Sequence, residues 1–277
     1  MKIVVLSDNR VLDEMLQPEH GLCVYAETEH YKCLLDTGAS DVFISNAEKL
    51  SVDIKAVDYV FISHGHADHI GGLTAFLKMN NKAKIVLSKN AIYQKFFSSR
   101  NGLHSISVDF DISPYAERFI FVDTEIVFKD EIHVFSARVN KYPLPKANAT
   151  LYKDAGKGIV FDDFNHELVI SFGIDNLFVY TGCAHKGLLN ILSSISLFPS
   201  KRIGMVVGGF HLLDSKPGQE FETTAEIEEI SKELKRKYPD THFITGHCTG
   251  EKTYKLLDNK LGEQINYSHT GYSIFFN

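Results

Sequence analysis

Short apolar runs, each about the length of one β-strand, alternate along this chain with stretches whose apolar positions recur at helical spacing. Strands are expected at Ile3–Leu6, Leu22–Glu27 and Tyr31–Leu35, the last running into Asp36-Thr37-Gly38. Val42, Phe43, Ala47 and Leu50 share one face of a helix over Asp41–Leu50. Ala56–Ser63 reads as a buried strand ending in a histidine-rich turn, followed by a helix at Gly72–Met79 and a strand at Lys84–Ser88. Between Asn90 and Asn165 the pattern weakens to short strands, Phe119–Val122 and Ile132–Phe135, and a loop with Pro143 and Pro145. It sharpens again at Leu168–Phe172 and Leu177–Thr181, a strand pair turning at Ile174-Asp175-Asn176. An apolar helix at Lys186–Phe198 and a strand at Arg202–Val207 follow. Thr223–Tyr238 is an amphipathic helix, with Ile227, Ile230 and Leu234 on one face and Glu228 spaced to pair with Lys232. A strand at Thr241–Thr245 and a helix at Gly250–Leu257 complete the pattern. Both halves, about 1–165 and 166–277, run from strands into helices. This suits one α/β (α+β) domain over 1–277, a four-layer sandwich of two facing sheets with helices outside.

Composition changes that picture little. The chain has 277 residues, 44% of them hydrophobic, enough for a substantial core. A net charge of −6 gives no electrostatic reason to expect nucleic acid or an anionic membrane as partner. No run approaches the roughly 18 apolar residues that span a bilayer. The opening MKIVVLSDNR acquires charge at once and reads as a first strand, not a secretory signal. Cys23, Cys33, Cys183 and Cys248 form no C-x-x-C pair, which points to a reducing, cytoplasmic setting; a Cys23–Cys33 bridge is the less favoured alternative. The informative excess is histidine, at thirteen residues.

Four possible metal ligands fall within Ser63-His64-Gly65-His66-Ala67-Asp68-His69, between a buried strand and a helix with Gly71-Gly72. Imidazole nitrogen and carboxylate oxygen are donors zinc accepts, and H-x-H-x-D-H can serve two ions, His64 with His66 and Asp68 with His69. Further ligands should then follow other strands. His185 follows Tyr180-Thr181-Gly182-Cys183-Ala184, His211 follows Val207-Gly208-Gly209-Phe210, and His247 follows Thr245-Gly246. Glycine before each lets the backbone turn sharply.

These motifs carry a resemblance. LLDTG at Leu34–Gly38, SHGHADHIGGL at Ser63–Leu73 and the His185 and His247 turns resemble successive motifs of the metallo-β-lactamase superfamily. TGCAHKGLLNIL, VGGFHL and TGHCTG resemble a branch named for 7,8-dihydropterin-6-methyl-4-(β-D-ribofuranosyl)aminobenzene-5′-phosphate synthase, a dihydropteroate-synthase-like activity, and the likeness extends to DDFNHE at Asp162–Glu167. The resemblance implies an αββα sandwich holding two divalent ions, zinc first and manganese or iron as alternatives. It puts His64, His66 and His185 on one ion and Asp68, His69 and His247 on the other. Many members have a bridging aspartate where this chain has His211, and a neutral imidazole has a single lone pair. His211 is read as binding one ion or hydrogen-bonding a bound oxyanion, with a buried turn histidine satisfied by backbone the less favoured alternative.

The implied mechanism is hydrolytic, with Asp68 positioning an activated water and His211 beside it as the second catalytic candidate. Asp36 is read as a carboxylate anchoring the ligand loop or a ligand imidazole, with a plain turn aspartate the equal alternative. His166, Glu167 and His269 are candidates to line the substrate cleft. Cys183 and Cys248 are weaker ligand candidates. His20, His30, His104, His133 and His242 read as surface or structural residues. Lys89, Lys95 and Arg100 read as a solvated helix face beside Phe96-Phe97, in preference to an anion site.

The leading expectation is a hydrolase of a small phosphoester, cyclic phosphodiester or related ester, its substrate a small and anionic molecule. The alternatives are a synthase joining a pterin methyl carbon to an aminobenzene ribosyl phosphate, and a non-catalytic metal- or ligand-binding protein. A di-iron redox reading is set aside, because superfamily members of that kind have H-x-E-x-D where this chain has His66.

Overall fold

The first strand, Lys2–Ser7, displays how the apolar pattern becomes layers. Ile3 and Val5 face a core between two sheets, while Val4 and Leu6 face a second core under the outer helices. Successive side chains of a strand point to opposite faces, so a strand covered on both sides must be apolar nearly throughout. Leu177 and Val179 against Phe178 and Tyr180 repeat this in the other sheet.

In this computed structural model, which describes residues 1–128, 131–197 and 201–277, two seven-stranded sheets face one another. The first is ordered Ser273–Phe275, Lys2–Ser7, Cys23–Glu27, Lys32–Leu35, Tyr59–Phe61, Lys84–Leu87, Phe119–Phe121. The second is ordered Ile265–Tyr267, His242–Thr245, Arg202–Val207, Asn176–Tyr180, Val169–Phe172, Ile132–Phe135, Glu125–Phe128. Helices Val42–Lys49 and Leu73–Met79 cover the first sheet, and Leu188–Ile195, Thr224–Lys237 and Glu251–Leu261 contribute to the core outside the second. This is the αββα order. A small third sheet (Ile159–Phe161, Leu151–Asp154, Phe96–Ser98, His104–Ser105) lies in the segment of weak pattern.

Several elements differ from the pattern reading. The strand expected from Ala56 begins at Tyr59, because Asp53 accepts from Lys55 N and starts a 3-10 turn at Ile54–Ala56. Ala67–Ile70, inside the histidine motif, is itself a short helix. The last helix continues past Leu257 to Leu261. The expected end of the Lys186–Phe198 helix, Phe198, lies outside the described residues. Lys89–Arg100 does not form one helix face: the helix covers only Asn90–Tyr93, and Phe96–Ser98 is a strand. Chain halves and sheets also do not coincide. Glu125–Phe128 and Ile132–Phe135 join the second sheet, and Ser273–Phe275 pairs with the first strand. All four cysteines are free and buried, and no described helix is long and apolar enough to cross a membrane.

Candidate metal centre

Strands Lys32–Leu35 and Tyr59–Phe61 run parallel in one sheet, and Asn176–Tyr180, Arg202–Val207 and His242–Thr245 run parallel in the other. Their carboxyl ends lead into the turns with Asp36, His64–His69, Cys183–His185, His211 and His247, and crevices at such ends are where α/β sheets gather ligand groups. These turns hold a conformation that L side chains rarely adopt. Asp36, Phe164, Ala184, His211 and His247 all have positive φ, between 46° and 60°. Each such residue stores of order 1–3 kcal/mol of strain, and residues of this kind cluster at functional sites.

Six sequence candidates come together here. His64, His69 and His185 are at most 1% exposed, His66 is 4% and His247 7%, and the Asp68 carboxylate lies 3.2 Å from His247 Nε2. The hydrogen bonds around four of the rings decide which nitrogen faces inward. His69 Nδ1 donates to Asp36 Oδ2 at 2.6 Å. His64 Nδ1 donates to Ser63 Oγ at 2.8 Å, because the Ser63 hydroxyl proton is already given to Asp36 Oδ2. His247 Nδ1 donates to Asn9 Oδ1 at 3.0 Å, and Asn9 is oriented by its amide's bond to the His247 carbonyl. Asn148 clamps His185 the same way, accepting from Nδ1 at 3.1 Å and donating to the His185 carbonyl at 2.8 Å. Oxygen partners on Nδ1 leave Nε2 as the metal-facing nitrogen, the arrangement that orients ligand imidazoles.

Those Nε2 atoms face each other in two pairs, His64 with His185 at 3.3 Å and His69 with His247 at 3.1 Å. Two nitrogen ligands on a tetrahedral zinc lie about 3.3 Å apart, from bond lengths near 2.0–2.1 Å. The donor set therefore fits divalent cations. Three groups of buried residues have ligand atoms within 4.8 Å of one another and include Cys183: with His64 and His185, with His69 and His247, and with His211 and Cys248.

Burial pushes the His64 and His185 pKa values well below the ordinary 6.5, and neighbouring imidazoles push the same way. Burial also opposes charge on His247, but Asp68 outweighs it and raises that pKa to about 9. A cation would replace the Nε2 proton His247 shares with Asp68. Asp68 is partly buried, and against the desolvation that opposes its charge it is held well below the usual carboxylate range by His69 and His247.

The remaining candidates take other positions. Asp36 is fully buried and accepts from Ser63 N, Ser63 Oγ, His69 Nδ1 and Tyr180 OH, at 2.6–2.7 Å. His166 accepts from Gly65 N at 3.0 Å and donates to Asp162 at 3.0 Å, so both its nitrogens are committed to holding the ligand loop. Glu167 accepts from His185 N and Lys186 N, and burial raises its pKa to about 7. His269 is engaged with its own turn, through Thr270 O and the edge of Tyr272. His211 lies beside His185, ring centroids 4.2 Å apart. Arg100 donates to its Nε2 at 2.9 Å, and a guanidinium can only donate, so the ring proton sits on Nδ1, and the Cys248 thiol lies beside the ring.

Sequence reading gave no place to Asn9, Asn148, Tyr180 or Asp162 as supports of the ligand turns, and set His20 aside. Yet His20 stacks on His247 at 5.3 Å and groups with Asp68 and His247. The one available signal was for Asp162, within the DDFNHE segment.

A fold of this order, with a histidine-lined crevice between its sheets, goes with a match in sequence: residues 16–146 match a domain of the metallo-β-lactamase superfamily. Two archaeal relatives come from Methanocaldococcus jannaschii. One is 7,8-dihydropterin-6-methyl-4-(β-D-ribofuranosyl)-aminobenzene-5′-phosphate synthase, 25% identical, the alignment covering 93% of this chain and 90% of the relative. The other is an uncharacterized protein, 26% identical over 97% of this chain and 98% of its own. Among solved structures, one described as a metal-dependent hydrolase of the β-lactamase superfamily superposes with a TM-score of 0.81 at 29% identity, covering 100% of this chain and 99% of that one.

Proposed function

We propose that this protein is a hydrolase that uses two divalent cations, zinc foremost, to cleave a small anionic phosphoester or related ester. The observation that carries this reading is the set of four imidazoles whose Nδ1 atoms are tied to oxygens and whose Nε2 atoms face in pairs at 3.1 and 3.3 Å. In the proposal His64, His66 and His185 hold one ion, and Asp68, His69 and His247 the other. Bound cations at such a centre supply Lewis acidity, which makes water a nucleophile near neutral pH and polarises the scissile oxygen.

The chain's own groups do the rest. Asp68 stays ionised and orients the attacking water. His211 Nδ1–H donates to the oxygen on which charge develops, its tautomer set by Arg100 on the opposite nitrogen. Arg100, itself fixed by Thr150 Oγ1 at 3.0 Å, brings a permanent positive charge to the crevice and favours an anionic substrate.

Metal content by mass spectrometry, with turnover of bis(p-nitrophenyl) phosphate, tests this on the wild type and His64→Ala/His66→Ala. Near two metals per chain, falling together with activity in the variant, is expected. No metal in either protein would sink the reading. The similarity to the synthase favours a second reading, a condensation of two organic substrates. Metal-loaded protein that leaves phosphoesters intact but releases pyrophosphate from a pterin pyrophosphate in the presence of the aminobenzene ribosyl phosphate would establish it.

A further inference from the structure

We propose that the Cys183 sulfur is the shared ligand of the centre, bridging the two cations as a thiolate. The proposal rests on the two-cation reading above and adds a donor which that reading does not contain. Cys183 belongs to both ligand groups, one with His64 and His185 and one with His69 and His247, the ligand atoms of each lying within 4.8 Å of one another. One sulfur is thus within ligand reach of both nitrogen pairs. It is 3.1 Å from His69 Nε2, close to the separation of the two imidazole pairs.

Backbone geometry holds the sulfur there. Gly182 and Ala184, on either side of it, both have φ of +57°. A Cβ at Gly182 would come within 2.2 Å of Ser63 Oγ, so the turn lies directly against the ligand loop and admits no side chain at that position. The competing candidate for a bridge, His211, has a single lone pair, and Arg100 uses it.

A thiolate bridge has chemical consequences. Cys183 and Asp68 together bring two negative charges against the four positive charges of two divalent ions, which leaves a net positive centre beside Arg100 for an anion. Sulfur also biases the site toward zinc, cobalt or iron and away from magnesium and calcium. Binding releases the thiol proton.

Cobalt(II) titration of metal-free protein, followed by absorption, tests the bridge, because cobalt–thiolate ligation gives a near-ultraviolet charge-transfer band that nitrogen and oxygen ligation do not. The band should grow through both the first and second equivalents. Cys183→Ser should lose it at least about tenfold while Cys248→Ser retains it, since thiolate is the soft donor of the site. Circular dichroism of both variants checks folding, and if Cys183→Ser does not fold, the titration of the wild type and Cys248→Ser decides. Growth that stops after one equivalent makes the sulfur a terminal ligand and overturns the bridge, as does loss of the band in Cys248→Ser. Bound cobalt with no band overturns the thiolate alone. Failure to bind cobalt at all overturns the two-cation reading with it, whereas a band without phosphoester turnover leaves the bridge standing.

Discussion

Asp36 at the base of the crevice is fully buried and takes four hydrogen bonds from Ser63, His69 and Tyr180, whereas Ile159, Val160 and Phe161 on the edge of the small sheet are 43%, 45% and 65% exposed. The two regions are neighbours: Phe96 of the small sheet packs its ring against His66 and His166, and Arg100 just beyond it reaches His211. One region spends its hydrogen bonds on holding ligand rings in a single orientation. The other presents an open apolar edge and extends a few polar side chains toward the rings. Buried polar networks are stable only when every member is satisfied, so the ligand base tolerates almost no change, while an exposed edge tolerates much.

The largest effect that would break this contrast is expected at Asp36. Asp36→Ala leaves Tyr180 OH, the Ser63 groups and His69 Nδ1 without their acceptor, and should lower unfolding stability by about 3–5 kcal/mol in a denaturant titration. A loss below about 1 kcal/mol would mean that the base is no more demanding than the edge.

Acid is expected to act on the same region. His64, His66, His166, His185 and His211 all have pKa values lowered from 6.5, chiefly by burial. The unfolded chain therefore binds protons that the folded chain refuses, so their contribution is present above pH 6.5 and is lost as pH falls below it. Metal-free protein should show a melting temperature that drops progressively below that pH, and metal should move the drop to lower pH. A flat profile from pH 7 to pH 5 would count against buried neutral imidazoles.

Asn148→Ala sharpens the comparison by removing only the clamp on His185. Zinc affinity, measured by competition with a chelator, should fall by about 10- to 100-fold. Unchanged affinity would show that His185 needs no orienting partner.

The smallest effect is expected at the boundary of the two regions. Arg100→Met should raise the KM for an anionic ester by about tenfold, the loss of one charge-assisted contact. Metal content should stay constant, and a fall in bound metal would make Arg100 part of the ligand base instead.

The ligand turns were legible in the sequence because covalent spacing carries them. His64, His66, Asp68 and His69 lie within six residues after a strand, and His185, His211 and His247 each follow a glycine-bearing strand end. Strand alternation and helical periodicity suggested the layers, since burial on two faces dictates apolar content directly, and the resemblance carried by the histidine motif fixed their order. The small sheet escaped because its strands are two to four residues long and partly exposed, too short to show a period.

Sequence by itself thus determined the layer order and the ligand-rich turns. Tertiary structure alone decided which nitrogen of each ring faces inward and which sulfur lies against the rings. Asn9 orients His247 across 238 positions, Asn148 orients His185 across 37, and Arg100 sets the tautomer of His211 across 111. Cys183 meets His69 across 114. A lone polar residue paired over such distances leaves no periodicity or spacing in the chain, because a hydrogen bond depends on where atoms sit after the sheets have packed and not on their order along the backbone.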